Sequence, residues 1–242
     1  DEQAWSRWQD ELAANSNAVP PWPGALPEPP RAPGAQSLPA VDPISESNFY
    51  HSCWGEAVYT DPKTGESRLY GIPNNADDRV LLYNEDILIR NGFTDATGRA
   101  KPPRTWEELE QMAVAMTERD AKGNIKTIGF IPNYGNSWLY LYGWQAGGEF
   151  MNPAGTSCTL NDANIVRALD FMTGIYDKLG GAKEVYAFQS AFQGDSLDPF
   201  ILGKVAMKID GVWIMSSLAL YGRDLRVAAA PPPLPQAELD KG

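Results

Sequence analysis

Two cysteines, Cys53 and Cys158, and one histidine, His51, are the whole supply of thiol and imidazole in 242 residues. No CxxC pair and no Cys/His ligand spacing occurs, so a zinc centre and a Ser-His-Asp triad are both poorly furnished. We therefore expect no metal and no cofactor. The two cysteines leave a disulfide and a pair of ordinary thiols equally open. No run approaches the roughly 20 apolar residues of a membrane helix. The first residues lack the basic start and apolar stretch of a signal peptide, and a chain that opens on Asp1 reads as a processed or trimmed product. Positive charge is also short: 20 Lys and Arg face 31 Asp and Glu, a net charge of −11. A phosphate backbone or an anionic membrane would be repelled over most of such a surface. Nucleic acid is excluded as the main partner, and a neutral, polar or cationic small molecule is left.

What is present is a globular composition, 43% hydrophobic and 21% charged, enough for one large or two small domains. Ala4, Trp5, Trp8 and Leu12 fit one amphipathic helix. Nearly half of the 20 prolines fall between Val19 and Pro43, a stretch that reads as a long extended connection. Further on, ESRLYGIP holds a candidate strand, VLLYN is a short apolar strand, and Asn84 is placed to cap a helix over EDILIRN that ends at Gly92. Thr105 and Glu108 form a capping box before a helix with Trp106, Leu109, Met112, Ala113 and Met116 on its apolar face. DAKGN is a turn rather than a calcium loop, because the ladder of acidic ligands is absent. IKTIGFIP is a strand. NDANIVRALDFMTGIYDKLGG is a helix capped by Asn161 or Asp162, with Ile165, Leu169, Met172 and Tyr176 facing inward. The strand KVAMKI, a helix over WIMSSLALY ended by Gly222, and the strand LRVAAA follow, and PPPLP stops regular structure. Strands alternating with helices imply an α/β layered domain.

Three clusters could carry chemistry. In IPNNADDRVLLYN, the group Asn74, Asn75, Asp77, Asp78 and Arg79 could hydrogen-bond neutral hydroxyls, with Arg79 holding a carboxylate in place; a solvated loop has the same composition. In NYGNSWLYLYGW, the rings of Tyr134, Trp138, Tyr140, Tyr142 and Trp144 could stack on a ligand or fill a core. Asn133, Asn136 and Ser137 favour the ligand, since unpaired amides are unwelcome beside buried rings. In LGKVAMKIDGVW, a strand ends in Asp210, Gly211 and Trp213, a large aromatic on a polar turn where small residues would suffice.

These pieces, in this order, resemble the extracellular solute-binding proteins of ABC transporters, within them the oligosaccharide group that includes maltose-binding protein. The resemblance runs through LYGIPNNADDRVLLYNEDILIRNGF, PPRTWEELEQMAVAMTERDAKGNIKTIGF, GGEF, LDPFILGKVAMKIDGVW and RVAAAPPPLP, roughly residues 66 to 235. It implies an α/β fold of the periplasmic-binding-protein type II, a two-lobed clamp whose hinge closes on a sugar. Mostly the second lobe is present, with part of the first: a partial first-lobe segment with the Pro-rich connection over 1–81, an α/β second lobe over 82–230, and a crossing back over 231–242. Trp213 matches the family position where an aromatic ring stacks on a sugar, Asp210 a polar neighbour, and Gly211 the turn between them. Counted back from Gly147 and Gly148, Trp138 or Ser137 falls near a second aromatic ligand position. The NNADD loop falls where a carboxylate binds hydroxyls, on Asp77 or Asp78. Asn75, Arg79, Tyr134 and Asn136 complete the expected ligand set. The family's opening strand-helix units and its closing helices are not evident, so we expect a piece of a longer chain.

The resemblance implies a monomeric receptor outside the cytoplasm, periplasmic or extracellular, free or lipid-anchored, that hands an oligosaccharide or other neutral polar molecule to an ABC permease. It implies no enzymatic activity. Two rival classes stay open. A glycan hydrolase would need a carboxylate pair, with Asp77 or Asp78 facing Asp210 or Glu149. An interaction scaffold could use the PxxP pattern in PEPPRAP as its ligand.

Overall fold

The computed structural model describes residues 44–192 and 197–241. The expected amino-terminal helix and the Pro-rich connection lie outside these residues. The chain divides into two compact units, Asp1–Glu56 and Ala57–Gly242. The described part of the first is a 3₁₀ turn, Glu46–Asn48, and helix α1, His51–Glu56. There the rings of Phe49 and Trp54 stack at 5.5 Å, and His51 pairs through Nδ1 with Glu46 at 2.8 Å.

The second unit opens with a hairpin of β1 (Val58–Thr60) and β2 (Ser67–Leu69), the latter inside the stretch expected to hold a strand. A five-stranded sheet follows in the order β4, β5, β6, β3, β7, from Glu118–Arg119, Ile125–Gly135, Val205–Asp210, Val80–Asn84 and Val227–Ala230. Only β5 and β6 run parallel; β3 pairs antiparallel with both β6 and β7, and β4 with β5. The parallel step requires a long crossover, which the chain makes through α4 (Leu139–Gln145), α5 (Ala163–Lys178) and α6 (Ala182–Gln189). Helices α3 (Trp106–Ala115), α5 and α6 pack against β5, and α4 packs along α5. All six residues of β6 are buried, as expected of a central strand covered on both faces.

Local chemistry explains most boundaries. Asn84 accepts from the Ile87 amide at 3.0 Å and starts α2 (Glu85–Arg90); Gly92 ends it at φ +81°, a conformation that costs glycine no Cβ clash. Thr105 caps α3 through the Glu108 amide at 3.1 Å. The capping box is displaced by one residue, because the Glu108 carboxylate accepts from the Arg104 amide at 2.6 Å and not from Thr105. The whole expected face of α3, from Trp106 to Met116, is buried. On α5 the cap is Asp162. Ala168 and Ile175 are buried there beside Ile165 and Met172, while Leu169 is exposed and Tyr176 only half-buried. Two helices, α4 and α6, lie in stretches where the sequence reading assigned no helix. After PPPLP the chain forms one more short helix, α8 (Gln236–Leu239), following α7 (Ile214–Tyr221) and β7. Leu234 bridges to Thr105 beside the start of α3.

Gly129 is where α3 meets the sheet backbone to backbone. A Cβ there would lie 2.6 Å from the Cα of Ala113 and closer still to its carbonyl oxygen. Neither atom can rotate away. Gly129→Ala is expected to cost about 1–3 kcal/mol of stability, the usual range for overpacking. An unchanged denaturant midpoint would show that α3 shifts freely on the sheet.

Candidate functional site

Because β5 and β6 are parallel and β3 runs against β6, three connections meet at one end of the sheet. They are the loop that enters β3 at Val80, the turn leaving β5 at Gly135, and the turn leaving β6 at Asp210; Val80 and Asp210 are register partners. Ligands of open α/β sheets bind outside the carboxyl ends of the parallel strands, and this is that end.

The loop before β3 brings Asp77 and Arg79, which form an ion pair with each other. The other oxygen of Asp77 accepts a long bond from the Val212 amide, at 3.4 Å, in the turn after β6. Arg79 lies over the ring of Trp213, its Cζ 5.0 Å from the centroid, within cation–π range. It also donates to the Tyr140 hydroxyl at 3.4 Å, and that hydroxyl to Asn136 at 3.4 Å. A Cβ on Gly211 would collide with the Asp77 carboxylate and lie 2.5 Å from the ring of Trp213, so only glycine lets loop and ring fold over this turn. The Nε of Arg79 is buried with no hydrogen-bond partner among the described residues.

The rings remain accessible. Trp213 is 46% exposed and Trp138 54% exposed. Tyr140 stands edge-to-face between Trp138, at 6.1 Å, and Trp144, at 5.1 Å. Asn75 and Asp78 are exposed on the loop that carries Asp77.

Beneath the site is a largely buried charged group. Asp210 is only 2% exposed; one oxygen forms an ion pair with Lys208, at 2.7 Å, and the other accepts from the Gly211 amide, at 2.9 Å. Lys208 also reaches Asp198 at 2.8 Å and lies 4.6 Å from the ring centroid of Tyr134. Tyr134 donates to Asp198 at 2.6 Å. Ser137 is fully buried and donates to the carbonyls of Pro132 and Tyr134. Asp210, Tyr134 and Ser137 are thus spoken for by the protein itself, whereas Trp213, Trp138, Asp77, Arg79 and Asn136 surround one surface.

Burial pushes the Asp198 carboxyl up. The Lys208 charge and the hydrogen bonds from Lys208 and Tyr134 together outweigh it and hold the group below the usual aspartate range. Tyr134 is pushed up, first by burial and then by the Asp198 charge, so it stays a neutral donor. A depressed folded pKa gives stability that is fully present above the unfolded value and is lost as pH falls through the folded one. Denaturant stability is expected to fall on acidification below about pH 4, the ordinary aspartate pKa, and Asp198→Asn should remove part of that slope. Superimposable acid profiles for the two proteins would contradict it.

The family model of the bacterial extracellular solute-binding proteins matches residues 3–240. The chain belongs to this family. A solute-binding protein of this kind works outside the cytoplasm, in the periplasm or beyond it. Among curated relatives, the "Probable ABC transporter-binding protein" of Deinococcus radiodurans is 30% identical over 117 residues, 45% of this chain and 26% of that one. The mannotriose-bound structure of CpMnBP1 is 27% identical, with a TM-score of 0.69 over 79% of this chain and 47% of that chain. The cycloalternan-bound ABC substrate-binding protein Lmo0181 of Listeria monocytogenes, 22% identical, shares the fold at a TM-score of 0.62, covering 80% of this chain and 45% of its own. The chain spans less than half the length of each of these three proteins. The architecture is thus the periplasmic-binding-protein type II fold, in part.

The turn residues of LGKVAMKIDGVW and the NNADD loop do come together in space. Tyr140 and Trp144 stand among the site's rings as well, although sequence reading placed them only in an aromatic cluster. Their spacing of four is a helical signal, but the segment lacks a side-chain cap: Trp138 occupies the cap position without a capping hydrogen bond. Both cysteines are free thiols, Cys158 exposed and Cys53 half-buried.

Proposed function

We propose that this chain is the sugar-gripping part of an oligosaccharide receptor that delivers its ligand to an ABC permease. One observation carries the reading: a half-exposed Trp213 stands beside an Asp77–Arg79 pair at the carboxyl end of the parallel strands. A flat ring takes the C–H face of a pyranose, and flanking carboxylate, guanidinium and amide groups take the hydroxyls that burial would otherwise leave unpaired. In this reading Trp213 and Trp138 are the platforms. Asp77, Arg79, Asn136 and Tyr140 are the polar partners, with Asn75 and Asp78 on the same loop. Asp210, Gly211, Tyr134 and Ser137 shape the turns from below. Binding of mannotriose and mannobiose by CpMnBP1 puts short mannosides first among candidate ligands.

A hydrolytic role finds no support: Asp210, one of the two acids that could face Asp77 or Asp78, has both oxygens engaged inside the protein. The test is a thermal-shift screen of neutral oligosaccharides, mannobiose and mannotriose included, since a ligand that binds only the native state raises its melting temperature by mass action. A selective shift with no new reducing ends on prolonged incubation is expected. Sustained hydrolysis abolished by Asp77→Asn, or a screen in which only charged solutes bind, would overturn the proposal.

A further inference from the structure

A lysine in a central strand is an expensive choice. Lys208 is 4% exposed, in a strand with every residue buried, and an ammonium in that setting survives only if it is paired. It is paired on three sides: Asp198 at 2.8 Å, Asp210 at 2.7 Å, and the Tyr134 ring at 4.6 Å. Replacing such a group with well-packed apolar residues is often neutral or stabilising, so stability alone does not explain the charge.

What the charges touch is more specific. Asp210 turns its other oxygen to the amide of Gly211, the residue on which Asp77 and Trp213 close. Asp198 accepts from the amides of Phe200 and Ile201, at 2.9 and 3.3 Å, fixing the turn ahead of β6. The lysine stem runs under Gly135: at φ +75°, a Cβ there would lie 2.7 Å from the Lys208 Cε and 3.1 Å from its Cγ. The next residue, Asn136, donates its amide to the carbonyl of Ile209 at 2.9 Å. One side chain therefore underlies both turns of the site, the one carrying Asn136 and Trp138 and the one carrying Trp213.

We propose that Lys208, clamped between Asp198 and Asp210, is a positioning residue that sets the two ligand-bearing turns in register without touching ligand. The proposal rests on the reading of Trp213 as a sugar platform, and its test separates the two. The variant is the charge-free Lys208→Met, Asp198→Asn, Asp210→Asn protein in the full chain, compared with wild type by melting temperature, hydrogen exchange and mannotriose titration. The expected result is a folded protein in which exchange at residues 211–214 accelerates about tenfold while that of β3 is unchanged. Mannotriose should bind about tenfold more weakly, and adding Trp213→Ala to this variant should cost less than the same change in wild type, because coupled sites are not additive. A folded variant with wild-type exchange at 211–214, or one whose losses add to those of Trp213→Ala, overturns the positioning role. Normal binding by Trp213→Ala alone overturns the platform reading instead, and the exchange data then judge Lys208 by themselves. If the triple variant does not fold, Asp210→Asn, which leaves Lys208 paired with Asp198, is put through the same measurements under the same criteria.

Discussion

Replacing Trp213 with alanine is expected to cost roughly 2 kcal/mol of binding, the size of an interface hot spot, and hence about thirtyfold in oligosaccharide affinity. The ring is already held before a ligand arrives, by Arg79 across it at 5.0 Å and by the turn at Gly211. A pre-ordered aromatic loses little freedom on binding, which is why it can outweigh several mobile polar contacts. Folding should suffer much less. A fully buried Trp cut to Ala costs about 3–5 kcal/mol of stability, but Trp213 keeps 46% of its surface in water. Titration and denaturation of the same variant decide the matter. A strongly destabilised protein whose folded fraction binds normally would make Trp213 a packing residue.

The largest effect on stability is expected from Lys208→Met taken alone. It strands two carboxylates, Asp198 and Asp210, of which the second is 2% exposed. Breaking one side of a buried ionic group costs about 3–5 kcal/mol, a large part of the roughly 5–15 kcal/mol that holds a domain together. Removing the carboxylates as well should restore much of it. A single variant less than about 1 kcal/mol below wild type would show water reaching the carboxylates, since exposed ion pairs are worth no more than that.

Much of the α/β plan was legible because its signals are local. The strand VLLYN, the Asn84 and Thr105 caps, the apolar face of α3 and the stop at Gly92 depend on residues within a turn or two of each other. So does the strand KVAMKI with its Asp-Gly turn. Helix α4 escaped because Trp138 supplies no capping oxygen and the segment's rings fit a core as well as a platform. On α5, periodicity pointed to Leu169 where Ala168 is buried: helical spacing defines a stripe, and the neighbouring elements choose which edge of it they cover.

The candidate site divides the same way. That Asp77, Arg79, Trp138 and Trp213 have ligand-like chemistry was visible from residue type and family resemblance. Their meeting was not, since it requires the long crossover that lays β5 parallel to β6 and the antiparallel pairing of β3. Asp210 shows the limit most plainly. As sequence it is an acidic residue on a turn beside an aromatic, indistinguishable from a ligand. Its burial and its ion pair with Lys208 follow from β6 lying at the centre of the sheet, and Asp198, ten residues before the lysine, completes the group only through that placement. Sequence by itself determined most strands of the sheet, the helices with side-chain caps and the residue types at the candidate site, because these follow from bonds and periodicities over a few residues. Tertiary structure alone decided which acid meets water and which meets an ammonium, because burial is set by what packs on both faces of a strand, and no local pattern contains that.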